Sequence, residues 1–211
     1  MKKSPKLPYI IWIISMAIAV YTSMQALSNQ ALWLDEKLTK LFSLVPDSFH
    51  PFFRVLTELG DKKGIYLVAI FVLGWLLIFK RNYLGAAVII LTVALGNEVN
   101  KLFKEMIARP RPDLEYLAHV DSLSFPSGHA MVGLIMYFFI AYLVIESVQS
   151  QKAKIMVISL TAILLFLIGA SRIILQVHYP TDVIGGFAYG YLWVFIWIII
   201  YQFFTKKWKK A

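Results

Sequence analysis

Six apolar runs, each near the length of one membrane crossing and each closed off by a polar or basic connection, divide this chain. They fall roughly at Leu7–Leu27, Gly64–Phe79, Leu84–Phe103, Ala130–Ser147, Ile155–Ile174 and Val183–Phe204. A helix needs about 20 mostly apolar residues to cross the hydrocarbon core, within a range of about 17–25. The shorter runs reach that length by borrowing flanking residues. Because the runs are continuous rather than alternating, they predict helices and not a β-barrel. The expected fold is therefore all-α, a polytopic membrane protein with six transmembrane helices. A single domain spanning residues 1–211 is expected, since apolar runs recur throughout and only 16% of residues are charged.

The first run follows the basic stretch Met1–Lys6 and is longer than a signal-peptide core, which is about 7–15 residues. No small-x-small cleavage pattern follows it, so a retained first span is expected. The chain has no cysteine, which excludes disulfides, thiolate metal sites and cysteine nucleophiles. The net charge of +9 is spread over short clusters between the runs. That distribution reports topology, and no nucleic-acid partner is expected.

Lys2, Lys3 and Lys6 precede the first span, Lys80 and Arg81 lie between the second and third, and Lys152 and Lys154 lie between the fourth and fifth. Lys206, Lys207, Lys209 and Lys210 follow the sixth. In a six-span arrangement all four clusters share one side, which the positive-inside rule makes cytoplasmic, together with both termini. Residues 28–63, 104–129 and 175–182 then lie outside. The second of these carries Lys104, Arg109 and Arg111 against the charge rule, so a functional reason for those cations is expected.

The connection 28–63 has Leu34, Leu38, Leu41 and Phe42 at helical spacing, a break at Pro46, and a second apolar face from Phe49 to Leu59. An amphipathic segment lying in the interface is predicted, either as a packing cap over the bundle or as a lipid gate.

Three short segments carry the chemistry, and each falls at the outer end. Lys104, Arg111 and Arg172 are cations suited to phosphate oxygens, arginine through its rigid fork and lysine as a point charge. A phosphoryl group in transfer spreads its charge over three oxygens, which three converging cations would stabilise. Either outer-loop cation by itself also reads as a headgroup contact. Pro126-Ser127-Gly128-His129 stands just before the fourth span, where helix N–H groups favour an anion, Gly128 permits close backbone approach and His129 can exchange a proton. In isolation the same four residues also fit an ordinary helix cap. His178 and Asp182, four apart at the start of the sixth span, fit a nucleophile with a carboxylate that fixes its tautomer, and equally a solvated pair at a helix start. Gly186 and Gly190 suggest close helix packing, and Glu98 with Lys101 either supports the site or forms a helix-end pair.

Taken in order, K-x6-R-P, P-S-G-H and S-R-x5-H-x3-D resemble the three motifs of the type 2 phosphatidic acid phosphatase (lipid phosphate phosphatase) superfamily. Lys104, Arg111, Pro112, Pro126, Ser127, Gly128, His129, Ser171, Arg172, His178 and Asp182 all match. The resemblance covers about residues 60–205. It implies a bacterial-type membrane lipid phosphatase acting on a substrate such as phosphatidylglycerophosphate or phosphatidate. It also implies His178 as nucleophile forming a phosphohistidine, Asp182 polarising it, and His129 protonating the leaving alcohol and then activating water. Lys104, Arg111, Arg172, Ser127 and Gly128 would hold the phosphate, with no metal or other cofactor. An undecaprenyl diphosphate phosphatase and a phosphoryl transferase share the same residues. A transporter or channel would instead spread ionisable residues through the bilayer depth.

Overall fold

The computed structural model describes residues 6–28, 33–120 and 122–208, and among these every regular element is helical. In chain order the helices are α1 (Leu7–Leu27), α2 (Trp33–Phe42), α3 (His50–Thr57), α4 (Lys62–Gly74), α5 (Tyr83–Ile107), α6 (Gly128–Ser147), α7 (Gln151–Ile174) and α8 (Pro180–Trp208). A π-helical turn, Trp75–Phe79, prolongs α4. Six stretches are long and apolar enough to cross a membrane: α1, Lys62–Phe79, α5, α6, α7 and Pro180–Lys206. They coincide with the six apolar runs to within a few residues, and the differences are polar turns added at helix ends.

Local chemistry sets those ends. Asn82 Oδ1 accepts from Gly85 N at 2.9 Å and opens α5. Ser150 opens α7 through Ala153 N, and Asp61 opens α4 through Lys63 N. Each is an N-cap satisfying a helix-end donor. Pro180 stands at the first position of α8, where its missing N–H costs no helix bond. Helix α5 ends on Ala108 in the left-handed region (φ 51°), its N–H bonded to Lys104 O at 2.8 Å. That left-handed residue turns the chain back toward the bundle immediately before Arg109.

Helix α6 sits at the centre, packed on α5, α7 and α8, while α1 lies against α8. The α6–α8 approach is set by glycine. A methyl group at Gly186 would lie 2.7 Å from Ser127 O, and one at Gly190 would lie 2.8 Å from Met131 O. The G-x3-G pair therefore works within one chain. Met136, Phe139 and Val194 fill the core around this seam. Ile13, Phe71 and Phe166 point outward and are more than half exposed. That is the expected arrangement where lipid is as apolar as leucine and helices associate by close packing.

The connection between the first two spans folds back over the bundle. Helix α2 packs against α7 and α8, and α3 packs against α7. Phe53 joins Ala170, Ile174, Leu175 and Val177 in a second apolar cluster, with Phe42, Val45 and Leu56 at its edge. This covers the end of the bundle from which the three motif segments emerge.

Candidate active site

The loop from α7 to α8 carries His178, which is 3% exposed. Its backbone N–H and that of Val177 both donate to Arg172 O, at 3.2 and 3.1 Å, so the loop is tied to the end of α7. His178 Nδ1 lies 3.4 Å from Asp182 Oδ2 and 3.4 Å from Ser124 Oγ. A proton on Nδ1 serves those acceptors and leaves Nε2 as the lone-pair nitrogen. Nε2 lies 3.4 Å from Arg111 Nη1, on the cationic side of the site. Burial, followed by the positive charges of Arg111, Arg172 and Lys104, pushes the His178 pKa well below the usual imidazole value. At neutral pH the ring is an uncharged base.

Asp182 is fully buried and its two oxygens are divided. Oδ2 accepts from Ser124 Oγ and from Tyr179 N (2.9 Å), and faces His178. Oδ1 accepts from Arg109 Nη1 at 2.6 Å. Asp182 O accepts from Ser127 N at 3.0 Å, which joins the third motif to the second.

The phosphate-binding candidates converge from three elements. Lys104, in the last turn of α5, is buried and donates to Leu123 O. Arg111 donates through Nε to Ser122 O at 2.6 Å and through Nη1 to Val177 O, so its guanidinium is fixed between the 104–127 loop and the His178 loop. Arg172 is buried and donates through Nη1 to Thr57 Oγ1 at 2.7 Å. Its Nε is buried without a hydrogen-bond partner among the described residues, and so is Ser127 Oγ. Ser127 stands at the N-cap of α6, yet its hydroxyl makes no capping bond, so the helix-cap reading does not describe its side chain. Gly128 opens α6 with Asn100 Oδ1 only 3.1 Å from where a methyl group would sit. Asn100 Nδ2 donates to Pro126 O at 3.3 Å and props the segment from α5.

His129 lies one residue into α6, its ring against Gly60, with Nε2 4.0 Å from Asp61 Oδ1. All eight site residues read from the motifs are therefore brought to one end of the bundle. Two other candidates are not part of the constellation. Ser171 Oγ donates to Ile168 O at 2.6 Å within its own helix. Glu98 pairs with Lys101 at 2.7 Å as an exposed helix-end pair.

Several residues around the site were not legible as site residues. Ser124 lies two residues before P-S-G-H, in no periodic pattern. Thr57 and Asp61 belong to the 28–63 connection, read there only for its apolar faces. Arg109 appeared as a charge against the topological rule without a partner. Its partners are Asp182, Thr181 Oγ1 (2.9 Å) and Asp35 Oδ2 (2.9 Å), and its guanidinium stacks 4.0 Å over the Tyr179 ring. Burial by itself would lower the Arg109 pKa, but Asp182 and Asp35 outweigh it and hold the guanidinium above its usual value.

The chain is similar to several known proteins. The PAP2 superfamily family model matches residues 85–208. Phosphatidylglycerophosphatase B of Bacillus subtilis is 33% identical over 184 residues, covering 84% of this chain and 83% of that protein. The crystal structure of a transmembrane PAP2 type phosphatidylglycerolphosphate phosphatase from Bacillus subtilis superposes with a TM-score of 0.79 at 27% identity, covering 94% of this chain and 97% of that one. Aquifex aeolicus LpxE shares the fold, with a TM-score of 0.64 at 23% identity over 80% of this chain and 96% of its own. On its motifs, its six-helix bundle and these matches, the chain belongs to the PAP2 superfamily.

Proposed function

We propose that this membrane lipid phosphatase hydrolyses the phosphomonoester of a lipid such as phosphatidylglycerophosphate or phosphatidate, through a phosphohistidine, at the extracytoplasmic face. The observation that carries the reading is the polarity of His178. Its Nδ1 faces a buried carboxylate and its Nε2 faces Arg111, in a ring held neutral at neutral pH.

In the proposed reaction the Nε2 lone pair attacks phosphorus as the bond to the lipid oxygen breaks. His129 gives its proton to the departing alkoxide. His129 then takes a proton from water, and the hydroxide attacks phosphorus as the P–N bond breaks and phosphate leaves. Asp182 holds the imidazolium character that develops on His178. Lys104, Arg111 and Arg172, with Ser127 Oγ and the Gly128 N–H, stabilise the equatorial oxygens. The buried Ser127 Oγ and Arg172 Nε have hydrogen-bonding capacity that phosphate oxygens would satisfy.

Orientation rests on the lysine and arginine clusters. The connections bearing Lys80, Arg81, Lys152 and Lys154 lie at the opposite end of the bundle from the site, together with the end of α8. That side is assigned to the cytoplasm. A cavity of about 620 Å³ beside Lys104 and Arg111 is also lined by Lys101, which pairs with Glu98, and by Glu105; among the described residues, Lys101 is the one further cation there that a diphosphate would meet.

The test is phosphate release by purified protein from phosphatidylglycerophosphate, phosphatidate and undecaprenyl diphosphate. Comparing kcat/KM values decides the class. A higher value on the two phosphomonoesters supports the first reading, and a higher value on the diphosphate replaces it with carrier-lipid recycling.

A further inference from the structure

We propose that Asp35 and Arg109 are positioning residues for this reaction: Asp35 anchors Arg109 so that its guanidinium holds one oxygen of Asp182 and leaves the other to His178. The proposal rests on His178 being the nucleophile.

The geometry is a chain of alternating charge drawn from four parts of the sequence. Asp35, on α2, is 1% exposed. Its Oδ1 accepts from Thr181 N at 2.9 Å, and its Oδ2 accepts from Thr181 Oγ1 and from Arg109 Nη2, both at 2.9 Å. Arg109 is 2% exposed and uses its other terminal nitrogen on Asp182 Oδ1. Asp35 thus grips the first turn of α8 and the guanidinium together, and the guanidinium grips the carboxylate that faces His178.

A buried arginine–carboxylate pair is weak evidence for stability, because desolvation opposes the attraction. What this network supplies is direction. With Oδ1 occupied by Arg109, Asp182 cannot rotate without losing a charge-assisted bond, so Oδ2 stays on the Nδ1 side of His178. Lysine would not reproduce this, since it lacks the planar fork that spans two carboxylates. The bonds just named run between Asp35, Arg109, Thr181 and Asp182 and face His178, so the proposed effect of the network is on turnover more than on phosphate affinity.

The groups acting on His178 define the electrostatic signature. Arg111, Arg172 and Lys104 act on His178 directly, as does His129 from α6; Asp182 faces it from α8, Arg109 and Asp35 lie behind Asp182, Tyr179 is next in the chain, and Glu58 and Asp61 act on Arg172. Removing the Arg109 charge makes the His178 site more negative and raises its pKa. Removing the Asp35 charge makes it more positive and lowers it.

The experiment measures kcat, KM and the pH profile of the full-length Asp35→Asn, Arg109→Gln, Arg109→Lys and Asp35→Asn/Arg109→Gln variants. Phosphatidate in mixed micelles is the substrate, and Tm is the check on folding. The single variants should lose at least about tenfold in kcat with KM changed by less than about threefold. The acid limb should move to lower pH in Asp35→Asn and to higher pH in Arg109→Gln. The double variant removes one charge of each sign and leaves Asp182 with its bonds from Ser124 Oγ and Tyr179 N, and its Tm shows whether the fold is kept. Its acid limb should return toward the native position while kcat stays low. Arg109→Lys should keep the native limb with an intermediate kcat. Native kcat in the double variant, limbs that shift in the same direction, or a loss confined to KM would overturn the proposal. Loss of folded protein in all four variants would also overturn it, making the network structural. His178→Ala is run alongside: activity retained there removes the nucleophile assignment itself, an outcome separate from failure of the Asp35–Arg109 network.

Discussion

Thr57 Oγ1 accepts a 2.7 Å hydrogen bond from Arg172 Nη1 across 115 residues of sequence, joining the connection between the first two spans to a motif arginine. Arg172 is buried, and its orientation depends on that acceptor. Thr57→Val removes the acceptor at nearly constant volume. A hydrogen bond to a charged group is worth about 1.5–3 kcal/mol, so kcat/KM should fall roughly tenfold or more, mainly through KM. Unchanged kinetics would show that Arg172 is held by packing alone.

His178→Ala should remove turnover, by at least about a thousandfold, in a protein that still extracts and elutes as native. Asp182→Ala is a harsher change than its distance from phosphorus suggests. It deprives Arg109 of one of its two carboxylates in a buried site, and breaking such a pair costs about 3–5 kcal/mol. It should therefore lower Tm as well as activity, whereas His178→Ala should lower activity alone. Equal Tm losses in the two variants would contradict this division.

His178 has its folded-state pKa depressed, chiefly by burial. The unfolded chain therefore binds a proton there at a higher pH than the native protein does. Stability rises with pH through this window and is complete above the ordinary histidine value of about 6.5. On acidification below about pH 6.5, Tm should fall. The fall should be smaller in His178→Ala, as measured by scanning fluorimetry in detergent between pH 7.5 and 5.

The proposed chemistry places charge stabilisation on Lys104, Arg111 and Arg172. EDTA should leave kcat within about twofold of its starting value, and orthovanadate should inhibit competitively, because the cradle suits a five-coordinate oxyanion. Strict dependence on Mg²⁺ would count against that assignment.

The α6–α8 seam offers a test of the scaffold. Gly186→Ala would push a methyl group to 2.7 Å from Ser127 O, a backbone atom that cannot move aside alone. Overpacking of this kind costs about 1–3 kcal/mol. A lower Tm is expected, with activity falling as well because Ser127 belongs to the site. A native Tm would show that the two helices separate freely.

Much of this protein was determined by sequence alone, and the reason is the membrane. Lipid admits only helices and closed barrels, continuous apolar runs select helices, and apolar length then sets the number and place of the spans. The motif residues were legible because their types and spacings match those of the superfamily, and His178, Asp182, His129, Lys104, Arg111 and Arg172 do converge at one end of the bundle. Tertiary structure decided the supports. Asp35, Thr57 and Asp61 lie in an amphipathic stretch read for its apolar faces alone, and Ser124 lies in an irregular loop. Their roles exist because α2 and α3 fold back over the ends of α7 and α8. Arg109 and Arg111 stand two residues apart with the same charge; the K-x6-R-P spacing singles out Arg111 and leaves Arg109 without a role. The left-handed turn at Ala108 directs Arg109 inward to two carboxylates, while Arg111 reaches the Nε2 side of His178. One arginine thereby bonds the carboxylate and the other lies beside His178 Nε2, a division made by backbone direction rather than by residue type.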